Sequence, residues 1–190
     1  AVDATITNVA KASGSNGIES ATTVDPSNSS VVSKGTPKGK ATKKVENTTR
    51  SDGITNVNDV LKYTIHVTNE QTNSTWKNIK MTDVLSKAVT FDKDKANVQV
   101  NGQTTTDFSY DDKTRTLKIG AGNVEGGKTT GAGKEDKDIA FLVTVNDDAL
   151  DTTITNVAKV SGDNGTDQTT VSDKENSIAV TKGTPNGKAT

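Results

Sequence analysis

Asp59-Val60-Leu61-Lys62-Tyr63-Thr64-Ile65-His66-Val67-Thr68-Asn69 is the stretch that decides the fold class. Its period of two puts Leu61, Tyr63, Ile65 and Val67 on one face of a β-strand and His66 on the other. Working outward, similar stretches recur between turn-forming residues. They predict strands over 41–46, 60–69, 79–84, 97–100, 108–110, 116–119, 138–145, 153–161 and roughly 169–181. No segment sustains a 3.6-residue apolar period, and 32 of the 190 residues are threonine, a β-branched residue suited to solvated strand faces. The class is therefore all-β, and short strands at this spacing predict a two-sheet sandwich of immunoglobulin-like topology. Residues 120–136, rich in glycine and charge, are expected to form a long exposed loop.

Only 29% of the residues are hydrophobic, so the core must be thin, but the period-two stretches and a net charge of -1 argue for a folded chain. The 23 basic and 24 acidic residues form no block of one sign long enough to grip nucleic acid. No apolar run approaches membrane-spanning length, and neither a signal peptide nor a sorting tail is seen, so the sequence reads as a fragment of a longer polypeptide. The absence of cysteine excludes disulfide, thiolate-metal and thiol-nucleophile chemistry. His66, the single histidine, falls on the solvated face of its strand, which argues against a Ser/His/Asp triad. With no phosphate-binding glycine loop and no nucleophile elbow, neither an enzyme nor a cofactor is expected.

Residues 1–42 align without gaps to residues 149–190, with 26 of 42 positions identical at an offset of 148. A period this long is a whole domain in tandem array. Lys34-Gly35-Thr36-Pro37-Lys38-Gly39-Lys40 returns as Lys182-Gly183-Thr184-Pro185-Asn186-Gly187-Lys188, and its strand-breaking residues read as a brief linker. On this reading 1–34 are the closing strands of a preceding repeat and 35–40 a linker. Residues 41–182 are then a complete sandwich, and 183–190 lead to the next.

Three polar residues stand where alternation calls for apolar ones. Lys43 shares a face with Ala41 and Val45, Asp83 with Ile79 and Met81, and Asn156 with Ile154, Ala158 and Val160. Burying one such group alone costs about 2 to 7 kcal/mol when neutral and more when charged, so the three are tolerable only if they meet. Plainer readings exist for each. Lys44 could face inward in place of Lys43, Asp83 could cap the turn before Val84-Leu85, and Asn156 could bond only backbone groups.

Thr42-Lys43-Lys44-Val45, the stretch from Asp59 to Asn69, Met81-Thr82-Asp83-Val84-Leu85 and Ile154-Thr155-Asn156-Val157-Ala158 together resemble, in order and spacing, the isopeptide-forming domains of Gram-positive pilins and adhesins and the related surface-repeat domain. The resemblance implies that Lys43 and Asn156 join through a spontaneous amide, assisted by Asp83. Asp83 would stay protonated, hydrogen-bond the Asn156 carbonyl oxygen and shuttle protons, while desolvation keeps the Lys43 amine neutral and nucleophilic. It implies a structural stalk repeat of an extracellular, cell-wall-attached adhesin or fimbrial protein. The partners would be neighbouring repeats of the same polypeptide, and other domains would meet any host-surface ligand.

Two rival readings keep the same sandwich. A calcium-stabilised module would use Asn146-Asp147-Asp148 and Asp163-Asn164-Gly165-Thr166-Asp167, although neither has full EF-hand spacing and turn chemistry explains both. A ligand-binding head for a matrix protein or glycan would expose Trp76, whereas a sandwich with so few aromatics is expected to place it in or near the core.

Overall fold

The structure is a computed structural model. It describes residues 35–128 and 131–163 in full, together with the backbone of the strands within 4–32 and 169–180 and the side chain of Val180. The chain divides into two compact units, Ala1–Gly35 and Thr36–Thr190. In the first, β1 (Ala4–Ile6) pairs antiparallel with β4 (Ser30–Val32), and β2 (Val9–Ser13) with β3 (Ser20–Val24).

The second unit is a two-sheet sandwich. One sheet holds β5 (Gly39–Asn47), β6 (Val60–Asn69), β8 (Val89–Thr90), β9 (Gln99–Val100), β10 (Gln103–Thr104) and β13 (Asp136–Val145) in the order β10-β9-β13-β6-β5, with β8 also on β13. The other runs β11-β12-β7-β15-β16, built from β7 (Thr75–Val84), β11 (Phe108–Asp111), β12 (Thr116–Glu125), β15 (Val157–Ser161) and β16 (Thr169–Ser172). A separate pair joins β14 (Thr152–Ile154) to β17 (Ile178–Val180). The pairs β14–β17 and β15–β16 have the registers of β1–β4 and β2–β3 moved by 148 residues: Ala4 opposite Val32 becomes Thr152 opposite Val180, and Val9 opposite Val24 becomes Val157 opposite Ser172.

Alternation drives the packing. Leu61, Tyr63, Ile65 and Val67 of β6 are buried and meet Ile79, Met81, Leu117, Ile119, Ile139 and Phe141 in one core. Trp76 is fully buried at the start of β7, as expected from the scarcity of aromatics. Its indole lies so close to Gly39 and Gly162 that a Cβ on either would overlap it, which is why both positions need glycine.

Three expectations fail for identifiable reasons. The loop expected over 120–136 is shorter and covers 126–135, because β12 continues to Glu125 and β13 begins at Asp136. A bulge at Gly122, with φ of +70°, shifts the register twice and ends the alternation that a sequence reading follows. The opposite strand slips too: Asn78 has φ of 50°, its N–H donates to Asn123 Oδ1, and β7 therefore starts at Thr75 rather than 79. The strand expected over 153–161 is two strands, β14 and β15, which pair with different partners and leave Thr155 and Asn156 between them.

The first strand, β5, begins beside Asn69, where the Glu70 N–H donates to the Lys38 carbonyl. The last, β17, ends at Val180, held between Thr152 and Thr55 next to the first residues of β6. The ten residues of β6 separate these points by about 30 Å, so the unit has a leading and a trailing end on opposite sides.

Candidate functional site

Alternation along β5 turns Ala41, Lys43 and Val45 inward, and the Lys43 side chain is fully buried opposite Ile65 of β6. Lys44 points to solvent and pairs with Glu46. On the other sheet, β7 turns Ile79, Met81 and Asp83 inward; Asp83 is 0% exposed, between Leu117 of β12 and Ala158 of β15. Asn156 occupies the gap between β14 and β15, yet the inward phase of Ile154, Ala158 and Val160 carries through the break, so it too is buried.

The three side chains meet on one atom. Lys43 Nζ donates to Asp83 Oδ2 at 2.8 Å, and Asn156 Nδ2 donates to the same oxygen at 2.8 Å. Lys43 Nζ also stands 4.6 Å from the centroid of the Tyr63 ring, which itself packs on Phe141 at 5.4 Å. The expected contact was between Asp83 and the Asn156 carbonyl oxygen; the observed one is to the amide nitrogen. Asp83 Oδ2 thus accepts from the donor side of the amide as well as from the amine. An oxygen that touches both nitrogens can receive a proton from one and deliver it to the other.

A second buried carboxylate lies at the trailing end. Asp59, 2% exposed, accepts from Asn47 Nδ2 and the Asn56 N–H at 2.9 Å each and from Arg50 Nη2 at 3.0 Å, and its Oδ2 forms an ion pair with Arg50 Nε at 2.8 Å. Burial pushes its pKa up, but the Asn56 N–H and the Arg50 and Asn47 side chains more than offset this and hold it below the ordinary aspartate value. Sequence reasoning did not single this residue out, although position 59 is in phase with the inward Leu61 and Tyr63.

His66 lies on the outer face of β6, with Nδ1 2.7 Å from Asp138 Oδ1. Of the residues considered for calcium, Asn146 caps the short 3-10 turn Asp147–Ala149 and Asp163 accepts from Asn78. Among the described residues, no group of three or more His, Cys, Asp or Glu is arranged to hold a metal ion.

Comparison with protein-family models and with curated proteins gives no match. Among solved structures, the full-length major pilin SpaD from Corynebacterium diphtheriae is similar at 20% identity and a TM-score of 0.48, over 70% of this chain and 33% of that one. The N-terminal domain of the Streptococcus gordonii adhesin Sgo0707 gives 12% identity and a TM-score of 0.48, over 75% and 32%. The Corynebacterium diphtheriae major pilin SpaA, whose structure is described as a modular pilus assembly with stabilising isopeptide bonds, gives 16% and 0.44, over 79% and 40%. This chain thus spans well under half the length of these three, and at such scores the likeness says nothing about function.

Proposed function

We propose that the chain is a structural repeat of a bacterial cell-surface stalk, adhesin or fimbrial, whose sandwich staples itself through an amide bond between Lys43 and Asn156. The supporting observation is the single oxygen of Asp83 that both Lys43 Nζ and Asn156 Nδ2 contact inside the core. Two charges enclosed in apolar surroundings lose their solvation, so one proton passing from Lys43 to Asp83 relieves both at once. The neutral amine then attacks Cγ of Asn156, and the carbonyl electron pair moves onto oxygen. As the attacking nitrogen sheds a further proton, Asp83 passes protons to Nδ2. The bond from Cγ to Nδ2 breaks and the carbonyl re-forms. Of the three ammonium protons, one stays in the new amide and two leave with Nδ2 as ammonium. This happens once per molecule and is maturation rather than turnover.

Such a bond suits a load-bearing part. A pull between the leading and trailing ends enters β5 at Gly39, and a Lys43–Asn156 link would carry it across to the other sheet before the intervening strands could peel away. By loop entropy, closing the chain from 43 to 156 is worth about 4 to 5 kcal/mol. That is substantial for a cysteine-free chain that is only 29% hydrophobic. The repeat boundaries belong to the same proposal: 1–34 close a preceding repeat, 41–182 form a complete one, and the partners are its neighbours on the cell wall.

Intact mass tests the bond. The purified chain is expected to weigh one ammonia less than its sequence; Lys43→Ala and Asn156→Ala restore the full mass, and Lys44→Ala does not. Full mass in the unsubstituted chain would remove the bond from the proposal.

A further inference from the structure

We infer that residues 1–34 are a closing element for the sandwich body of a second copy of this chain, and that Asn8 is a second cross-linking residue, joined to that copy's Lys43. This rests on the repeat and bond readings above and names what they leave open, the edge that docks and the atom that is linked. In the first unit β2 pairs with β3 in a sheet of two strands. Its counterpart 148 residues on, β15, has β16 on one edge and β7 on the other. A two-stranded sheet alone is marginal in water, so the β2 edge calls for a third strand. The matching registers say which. Since Ala158 lies opposite Asp83 of β7, Ala10 comes opposite the Asp83 of a second copy.

The residues that meet the body agree. Ile154, Asn156, Ala158, Val160 and Val180 are buried, and at the offset of 148 their places are taken by Ile6, Asn8, Ala10, Ala12 and Val32. Of these five only Ala12 differs, and being smaller than Val160 it costs a void rather than an overlap. Gly162, which leaves room for Trp76, returns as Gly14. The strand break returns as well: β1 ends at Ile6 and β2 begins at Val9, as β14 ends at Ile154 and β15 begins at Val157. Asn8 thus holds the place of Asn156 between two strands, where the second copy's Lys43 and Asp83 reach it. The Lys43 amine attacks Cγ of Asn8 and the bond from Cγ to Nδ2 breaks. Of the three ammonium protons, one stays in the new amide and two, carried by Asp83, leave with Nδ2 as ammonium. Load then passes from that staple to the Lys43–Asn156 staple through residues 8–43.

The test is the full chain with a second copy of residues 36–148 placed ahead of Ala1, which supplies a second body in the repeat frame. Amides of β2 are expected to exchange about tenfold or more slowly than in the 190-residue chain, and the intact mass to fall short by two ammonia molecules. Asn8→Ala or Asn156→Ala lowers that count to one, and peptide mapping places one link between Asn8 and Lys43 of the added body. Ala10→Glu, at the place of the fully buried Ala158, should abolish both the slowing and the second ammonia loss; Val9→Lys, at the place of Val157, which is 50% exposed, should leave both. Equal β2 exchange in the two chains, or slowed exchange with Asn156 linked and Asn8 not, would overturn the inference. If neither asparagine is linked, the bond reading has failed and the role of Asn8 falls with it, while β2 exchange, which needs no bond, still decides the docking.

Discussion

Asp83 and Asp59 are two buried carboxylates with nearly the same company, a cation and an asparagine amide, and the proposed function gives chemistry to only one of them. Asp83 sits mid-core with Lys43, both side chains fully enclosed. Asp59 sits at the trailing end with Arg50, whose side chain is 34% exposed. A lysine in an apolar enclosure can surrender its proton and become a nucleophile, whereas a guanidinium keeps its charge under all ordinary conditions. The amides differ as well. Asn156 is placed against the carboxylate oxygen that contacts the amine, while the Oδ1 of Asn47 is occupied by the N–H groups of Thr49 and Arg50. Nearly equal inventories thus differ in which cation is used and how dry the site is, and on the proposed function that difference separates a reactive centre from a clamp.

Removing the shared carboxylate should do the most damage. Asp83→Ala leaves the Lys43 amine without its buried partner, at about 3 to 5 kcal/mol, and removes the proton carrier, which forfeits the further 4 to 5 kcal/mol of the cross-link. Denaturant melts and intact mass should show a chain close to unfolding that retains its ammonia. A variant that still loses ammonia at the normal rate would refute the role of Asp83 while leaving the bond. Lys43→Arg is the sharper probe, since it gives the Asp83 site the cation of the Asp59 site. Full mass is expected, together with a loss near the cross-link's 4 to 5 kcal/mol and unfolding that becomes readily reversible. Ammonia loss in this variant would mean that another amine is the nucleophile.

The contrast also shows what was legible in advance. Wherever alternation runs unbroken the sequence suffices: β6 spans 60–69 as predicted, and the inward phase of β5 and β7 alone singles out Lys43 and Asp83. Where a residue is added, phase is lost, as at Asn78 and Gly122, two slips on neighbouring strands joined by the bond from the Asn78 N–H to Asn123. Neither slip is visible alone, because each is stabilised by the other across 45 residues of sequence. Asn156 was legible despite the strand break, since Thr155 and Asn156 keep the period of two. Asp59 obeys the same rule but stands at the head of its strand, where an aspartate looks like an ordinary turn residue.

The smallest expected effect concerns that clamp. Its carboxyl is held below the ordinary aspartate value when folded and returns to about 3.9 when the chain unfolds. The clamp's stability is therefore fully present above the unfolded value and is lost as pH falls through the folded one. Asp59→Asn keeps the shape but removes the charge that Arg50 answers, so a loss of about 1.5 to 3 kcal/mol is expected at neutral pH, shrinking toward zero in acid as the unsubstituted chain protonates too. The proposed Lys43–Asn156 amide would not titrate, so the intact mass should be unchanged throughout. Melting curves of the two chains from neutral pH into acid provide the measurement. If they are offset equally at every pH, the substitution acts through packing alone and the ionic account of the clamp fails.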